Sequence, residues 1–203
     1  IGAATIVPIY MQDMRHFTAM ESGMMLFPGA VVMGLMSPIT GRIFDKIGAR
    51  VLSITGLTTI FVTTLLLTHL SEATPFAYLS TVYAFRMVGM GMVLMPVTTA
   101  GLNQLPRHLI PHGTAMNNTM RQMSGSIGTA ILITIMTQRA LADPAGPGSE
   151  TAMIHGVNLA FMTAAGLSGV GLVLAFFIKH NRRGPLNDRR RKPAKSRLVL
   201  HEE

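Results

Sequence analysis

The side chain best placed to do chemistry in this sequence is Arg86, a guanidinium set alone in an apolar run over 76–95. A cation at the middle of a membrane-spanning helix costs about 2.5 to 3.5 kcal/mol even on lenient insertion scales, so it must face a cavity, backbone carbonyls or an acid. Two roles stay open for it: a packing arginine satisfied by neighbouring carbonyls, or a cavity charge that senses protonation or an anionic substrate group. A second cluster runs Asn117-Asn118-Thr119-Met120-Arg121-Gln122-Met123-Ser124-Gly125. At about 100° per residue, Asn117, Arg121, Ser124 and Gly128 share one helix face. Ser124 and Gly128 form a small-x-x-x-small pair for close helix approach, beside Gly125, and Asn117 with Arg121 continues the stripe in polar form. The third cluster is the stretch 41–50, which holds Arg42, Asp45, Lys46 and Arg50 between Gly41 and Gly48. Charge-assisted pairing of Asp45 with Arg42 and Arg50 is available there, and the glycines permit close approach or positive backbone angles.

Other chemistries lack their residues. Cysteine is absent, which excludes disulfides and thiol catalysis. His108 and His112 have helical spacing, but Pro111 between them argues against a regular metal-binding helix. Met87, Met90, Met92 and Met95 suit irregular packing or an adaptable apolar pocket better than soft-metal transport. The carboxylates Asp13, Glu21, Glu72, Asp143 and Glu150 fall in connecting segments, and Asp188, Glu202 and Glu203 in the terminal tail. None lies inside an apolar run, and no nucleophile, acid pair or ligand set of an enzyme gathers at one depth. No cofactor is implied.

These residues sit on apolar segments too long and too uncharged for a soluble surface. Hydrophobic residues make up 49% of the 203 and charged ones 13%, and mean hydropathy is positive. The apolar residues come in runs near twenty, the length that crosses about 30 Å of hydrocarbon. Spans are expected at about 23–40, 51–70, 76–95, 113–138 and 155–178, preceded by the end of a truncated helix over 1–11. The net charge of +8 is concentrated in a basic tail, 180–203, expected to be disordered, so nucleic acid is not the implied partner. Arg42, Lys46, Arg50, Arg107 and the tail fall on one side of the membrane, whereas the other side has Arg15 and Arg139. The positive-inside rule makes the first side, tail included, cytoplasmic in a multi-pass cell-membrane protein.

The stretch 41–50 has the pattern G-x-x-x-D-x-x-G-x-R and resembles the loop between the second and third helices of each six-helix half of major facilitator transporters. Arg86 to Gly91 is similar to the R-x-x-x-G signature of the fourth helix, with Gly89 and Gly91 displaced by a position or two and read as helix-packing residues. The run from Asn117 to Ala130 resembles the N-x-x-R-Q-x-x-G-S-I-G-T-A segment of the fourteen-helix drug:proton antiporters, the EmrB/QacA type. The resemblance implies an all-α membrane protein: the C-terminal six-helix half of a major facilitator fold, with its first helix truncated.

It further implies multidrug efflux, with lipophilic or cationic compounds exchanged for protons by alternating access. In that reading Arg86, Asn117 and Arg121 border a substrate cavity, while Gly41, Arg42, Asp45, Gly48 and Arg50 form a gating latch. Its partners are the lipid bilayer, small-molecule drugs and protons, and the proton carrier is expected on a missing N-terminal half. A metabolite or sugar carrier of the same fold and a non-transporting membrane scaffold are the alternatives.

Overall fold

The computed structural model describes residues 2–144, 146 and 149–177, with only the backbone described at Asp45 and Ala49. The basic tail therefore lies outside the described residues, as does the Asp45 side chain. Among the described residues six α-helices follow one another: α1 (Gly2–Ile9), α2 (Ala19–Ile47), α3 (Ala49–Leu66), α4 (Phe76–Leu102), α5 (Ile110–Leu141) and α6 (Glu150–Phe176). No strand occurs among the described residues. At about 1.5 Å per residue the longer helices reach roughly 40 Å or more, enough to cross a bilayer and emerge from it. Three of them, in α2, α4 and α6, are long and apolar enough to span, and α3 adds a shorter apolar helix. The molecule is an all-α, multi-pass membrane protein.

Several helices run past their expected ends. The stretch 41–50, expected as a loop, is almost wholly helical: α2 continues to Ile47 and α3 begins at Ala49. Gly48 alone breaks them, at φ 86°, a left-handed angle that a side chain would strain. Residues 96–102, also expected in a loop, extend α4 with Pro96 inside it, and α5 starts at Ile110 after a single 3₁₀ turn, Arg107–Leu109. Apolar patterning marks the hydrocarbon, whereas backbone hydrogen bonding carries a helix beyond it, so charge placement underestimates helix length. Local signals set the starts. Thr18 and Glu21 form a reciprocal capping box on α2, and the Ser149 hydroxyl caps α6 through the Ala152 amide at 3.2 Å.

The helices pack in a ring ordered α2, α4, α3, α6 and α5, with short α1 between α5 and α2. Glycines set the closest seams. A Cβ on Gly89 would lie 2.8 Å from the Gly56 carbonyl oxygen, so α3 and α4 cross backbone to backbone. A Cβ on Gly156 would lie 2.3 Å from the Met136 carbonyl oxygen, which fixes α6 against α5. After Ile9 the first helix widens into a π-helical turn, Tyr10–Met14. Ile6, Val7, Tyr10, Met11 and Met14 are buried there against Met25, Leu79, Tyr83, Met136, Val157 and Phe161. This core lies toward the end opposite Gly48; the two ends are called the far end and the basic end below.

Candidate functional site

At the far end the connecting segments are stitched together. The Tyr10 hydroxyl donates to the Ser71 carbonyl at 2.7 Å, and Arg15 donates to the Ser71 and Thr74 carbonyls at 3.2 Å each. His16, in a left-handed conformation, meets Glu150 at 2.7 Å. Asn158 holds the Leu70 backbone from both sides, accepting from its amide at 3.0 Å and donating to its carbonyl at 2.9 Å. Asp143, expected in a loop with no partner assigned, is buried, and its Oδ2 meets His155 Nδ1 at 2.8 Å and Arg139 at 3.4 Å. Arg139 and Asp143 stand at helical i, i+4 spacing in the sequence, a signal that was present. Nothing in sequence spacing brings in His155 from the next helix.

Among the described residues the basic end has fewer ties. Arg50 donates to the Phe176 carbonyl at 2.9 Å, at the last residue of α6, where a cation also meets the negative end of the helix dipole. Arg42 is exposed, and Gly41 has open space where a Cβ would be. The side chain of Asp45 lies outside the described residues, so Arg50 is placed here by its bond to α6.

Arg86 points at α3, where its guanidinium donates to the Thr64 hydroxyl. Thr64 passes a hydrogen bond on to the Ile60 carbonyl at 2.6 Å, and Gly89, one turn along α4, makes the backbone crossing with α3. Gly91 is buried, with a Cβ there set to meet Met36 of α2 at 3.3 Å. No hydrogen bond or ion pair among the described residues joins Arg86 to Asn117 or Arg121, because α4 and α5 diverge after Leu102 and Leu105 pass Gly113.

The expected stripe on α5 is helical throughout and faces outward. From Ile110 the first buried residue of α5 is Leu132. Arg121 and Ser124 are exposed, Asn117, Gly125 and Gly128 are partly so, and nothing stands within 4 Å of a Cβ built on Gly128. The small-residue face therefore has no helix packed on it among the described residues. Beside it runs an apolar stripe, Met116, Met120, Met123, Ile127 and Ile131, and α2 presents a matching one through Met24, Phe27, Val31, Leu35 and Ile39. Long helices with one face polar and small and the next apolar, both uncovered, can receive further helices and leave a wet path between them.

Comparison with known proteins agrees with this architecture. The chain is 51% identical over 183 residues to the uncharacterized MFS-type transporter YcnB of Bacillus subtilis, an alignment covering 90% of the chain and 39% of that protein. It is 40% identical over 185 residues to the lincomycin resistance protein LmrB of Listeria monocytogenes, covering 88% of the chain and 39% of the relative. It is 29% identical over 137 residues to the multidrug export protein EmrB of Haemophilus influenzae, covering 64% and 26% respectively. The chain thus spans well under half the length of these relatives. Residues 1–129 match the Major Facilitator Superfamily, and the chain belongs to that family.

Proposed function

We propose that this chain is the C-terminal part of a multidrug efflux transporter, which exchanges lipophilic or cationic compounds for protons across the cell membrane. The observation that carries the reading is the pair of uncovered faces on α2 and α5, with Asn117 and Arg121 in a polar stripe beside an apolar one. A second six-helix half would rock against these faces around a midplane site. The names of the relatives, lincomycin resistance and multidrug export, support drugs as the cargo class.

In this reading Asn117 and Arg121 border the substrate path, and the methionines of α5 give it an adaptable apolar wall. Arg86, tied to Thr64 at the α3–α4 seam, borders the cavity in the same reading. The basic end is cytoplasmic, and Gly41, Arg42, Asp45, Gly48 and Arg50 form its latch. In this half the latch closes through the hold of Arg50 on α6.

The test is accumulation of a lipophilic cation in cells that express the complete transporter, wild type or Arg121→Ala, at equal membrane abundance. Efflux in the wild type and its loss by tenfold or more in the variant is the expected result. Equal accumulation with and without the wild-type protein would remove drugs as cargo and favour a metabolite carrier of the same fold.

A further inference from the structure

Asp143 is a buried ionisable residue whose carboxylate oxygen Oδ2 is shared by two partners of different kind. Arg139, one turn back on α5, is a permanent cation, whereas His155, on α6, brings an imidazole, the side-chain type most often used to take up and release protons. Beside them opens a cavity of about 260 Å³ lined by Thr68, Arg139, His155 and Asn158, with Leu159 and Met162 as its apolar part. The His155 side chain is half exposed, while that of Asp143 is 4% exposed. We propose that Arg139, Asp143 and His155 form a proton-binding site at the far end of this half, loaded from the adjoining solution through that cavity. The inference rests on the proton-exchange reading above and adds to it a titratable group on this chain, where the carboxylates alone suggested none.

The atoms set how the proton moves. A carboxylate oxygen accepts, so the imidazole nitrogen facing it, Nδ1, carries hydrogen in both charge states. The exchanging proton is then bound at Nε2, taken from water in the cavity and returned to it. A cavity of this size, lined in part by Arg139, His155 and Asn158, has room and hydrogen-bonding partners for water. Binding turns the hydrogen bond from a neutral imidazole to the Asp143 carboxylate into an ion pair, which tightens the tie between α6 and the α5–α6 connection.

Among the described residues the neighbouring polar groups have partners of their own. From α5 the charged group facing Asp143 is Arg139, and from α6 it is His155. Beyond the end of α3, Thr68 lines the cavity and its hydroxyl is within 2.8 Å of His69 Nδ1. Asn158 is committed to the Leu70 backbone. Glu150, earlier on α6, is taken by His16, and Glu72 accepts from Thr151 at 3.3 Å.

The complete transporter, labelled with ¹⁵N-histidine in proteoliposomes, tests this by solid-state NMR between about pH 5 and 8. The His155 signal is identified by its loss in His155→Asn, which keeps an N–H donor near the Nδ1 position and removes the titrating ring. The expected result is a neutral Nδ1–H tautomer that becomes imidazolium on acidification, with the tautomer preference lost in Asp143→Asn. An Nε2–H tautomer in the wild type, or one charge state across the whole range, overturns the proposal. Substrate exchange is then measured in the same vesicles as the far-side pH is varied. A several-fold pH response in the wild type should flatten to within about twofold in His155→Asn. Exchange that keeps its pH response in His155→Asn also overturns the proposal. No exchange in the wild type at any pH instead removes the transport reading, while the NMR still decides whether the site binds protons.

Discussion

The two ends of this helix ring are built differently. At the far end buried polar groups such as Ser22, Thr68, Thr74 and Asp143 are hydrogen-bonded, the connecting segments around Arg15 and Ser71 are tied to one another, and both of them and Asp143 are tied to α6. At the basic end the buried hydroxyls of Thr40 and Ser53 have no partner among the described residues, and the first half of α5 stands clear of the ring. Unmet polar groups and bare helix faces cost free energy in a membrane unless something covers or wets them. Among the described residues the far end is thus closed by its own hydrogen bonds, whereas the basic end leaves hydroxyls unmet and helix faces bare.

Substitutions at glycines should break this contrast most sharply. Gly156→Leu drives a side chain into the Met136 carbonyl, a backbone atom that cannot yield, so the loss should exceed the usual overpacking cost of about 1–3 kcal/mol. Little folded protein is expected on size-exclusion chromatography in detergent. Gly128→Leu meets open space and improves helix propensity, so thermal stability should hold or rise while drug efflux falls. Equal destabilisation by both changes would erase the distinction between a packed seam and an uncovered face.

Smaller effects sharpen it. Asn158→Ala leaves the Leu70 amide and carbonyl unpaired, which costs about 1–3 kcal/mol, read as a lower melting temperature. Arg50→Ala removes one exposed bond to α6, worth about 0.5–1.5 kcal/mol at most, and should change efflux more than melting. A larger stability loss for Arg50→Ala than for Asn158→Ala would place the closed end on the wrong side.

Much of this was legible in the residues, for reasons that differ by element. The membrane class follows from run length and scarce charge, and Gly48 from the need for a left-handed angle between two apolar runs. The shared face of Asn117, Arg121, Ser124 and Gly128 follows from helical period alone. The direction of Arg86 was not legible, because which neighbour lies across α4 depends on the Gly56–Gly89 crossing, a contact between segments more than thirty residues apart. The burial of Asp143 was hidden for the same reason. A loop rich in proline and glycine signals exposure, yet its carboxylate is enclosed by residues from α5 and α6.

The most direct test of the uncovered basic end introduces a single thiol into these 203 residues, which hold no cysteine, with any cysteine elsewhere in the complete transporter replaced. Maleimide labelling would be followed in membranes of the complete transporter with a cysteine at Arg121, on the bare face of α5, or at Leu167, on the exposed flank of α6. A transported lipophilic cation should slow labelling at position 121 several-fold and leave position 167 unchanged. Equal rates with and without the cation at both positions would contradict a substrate path along α5.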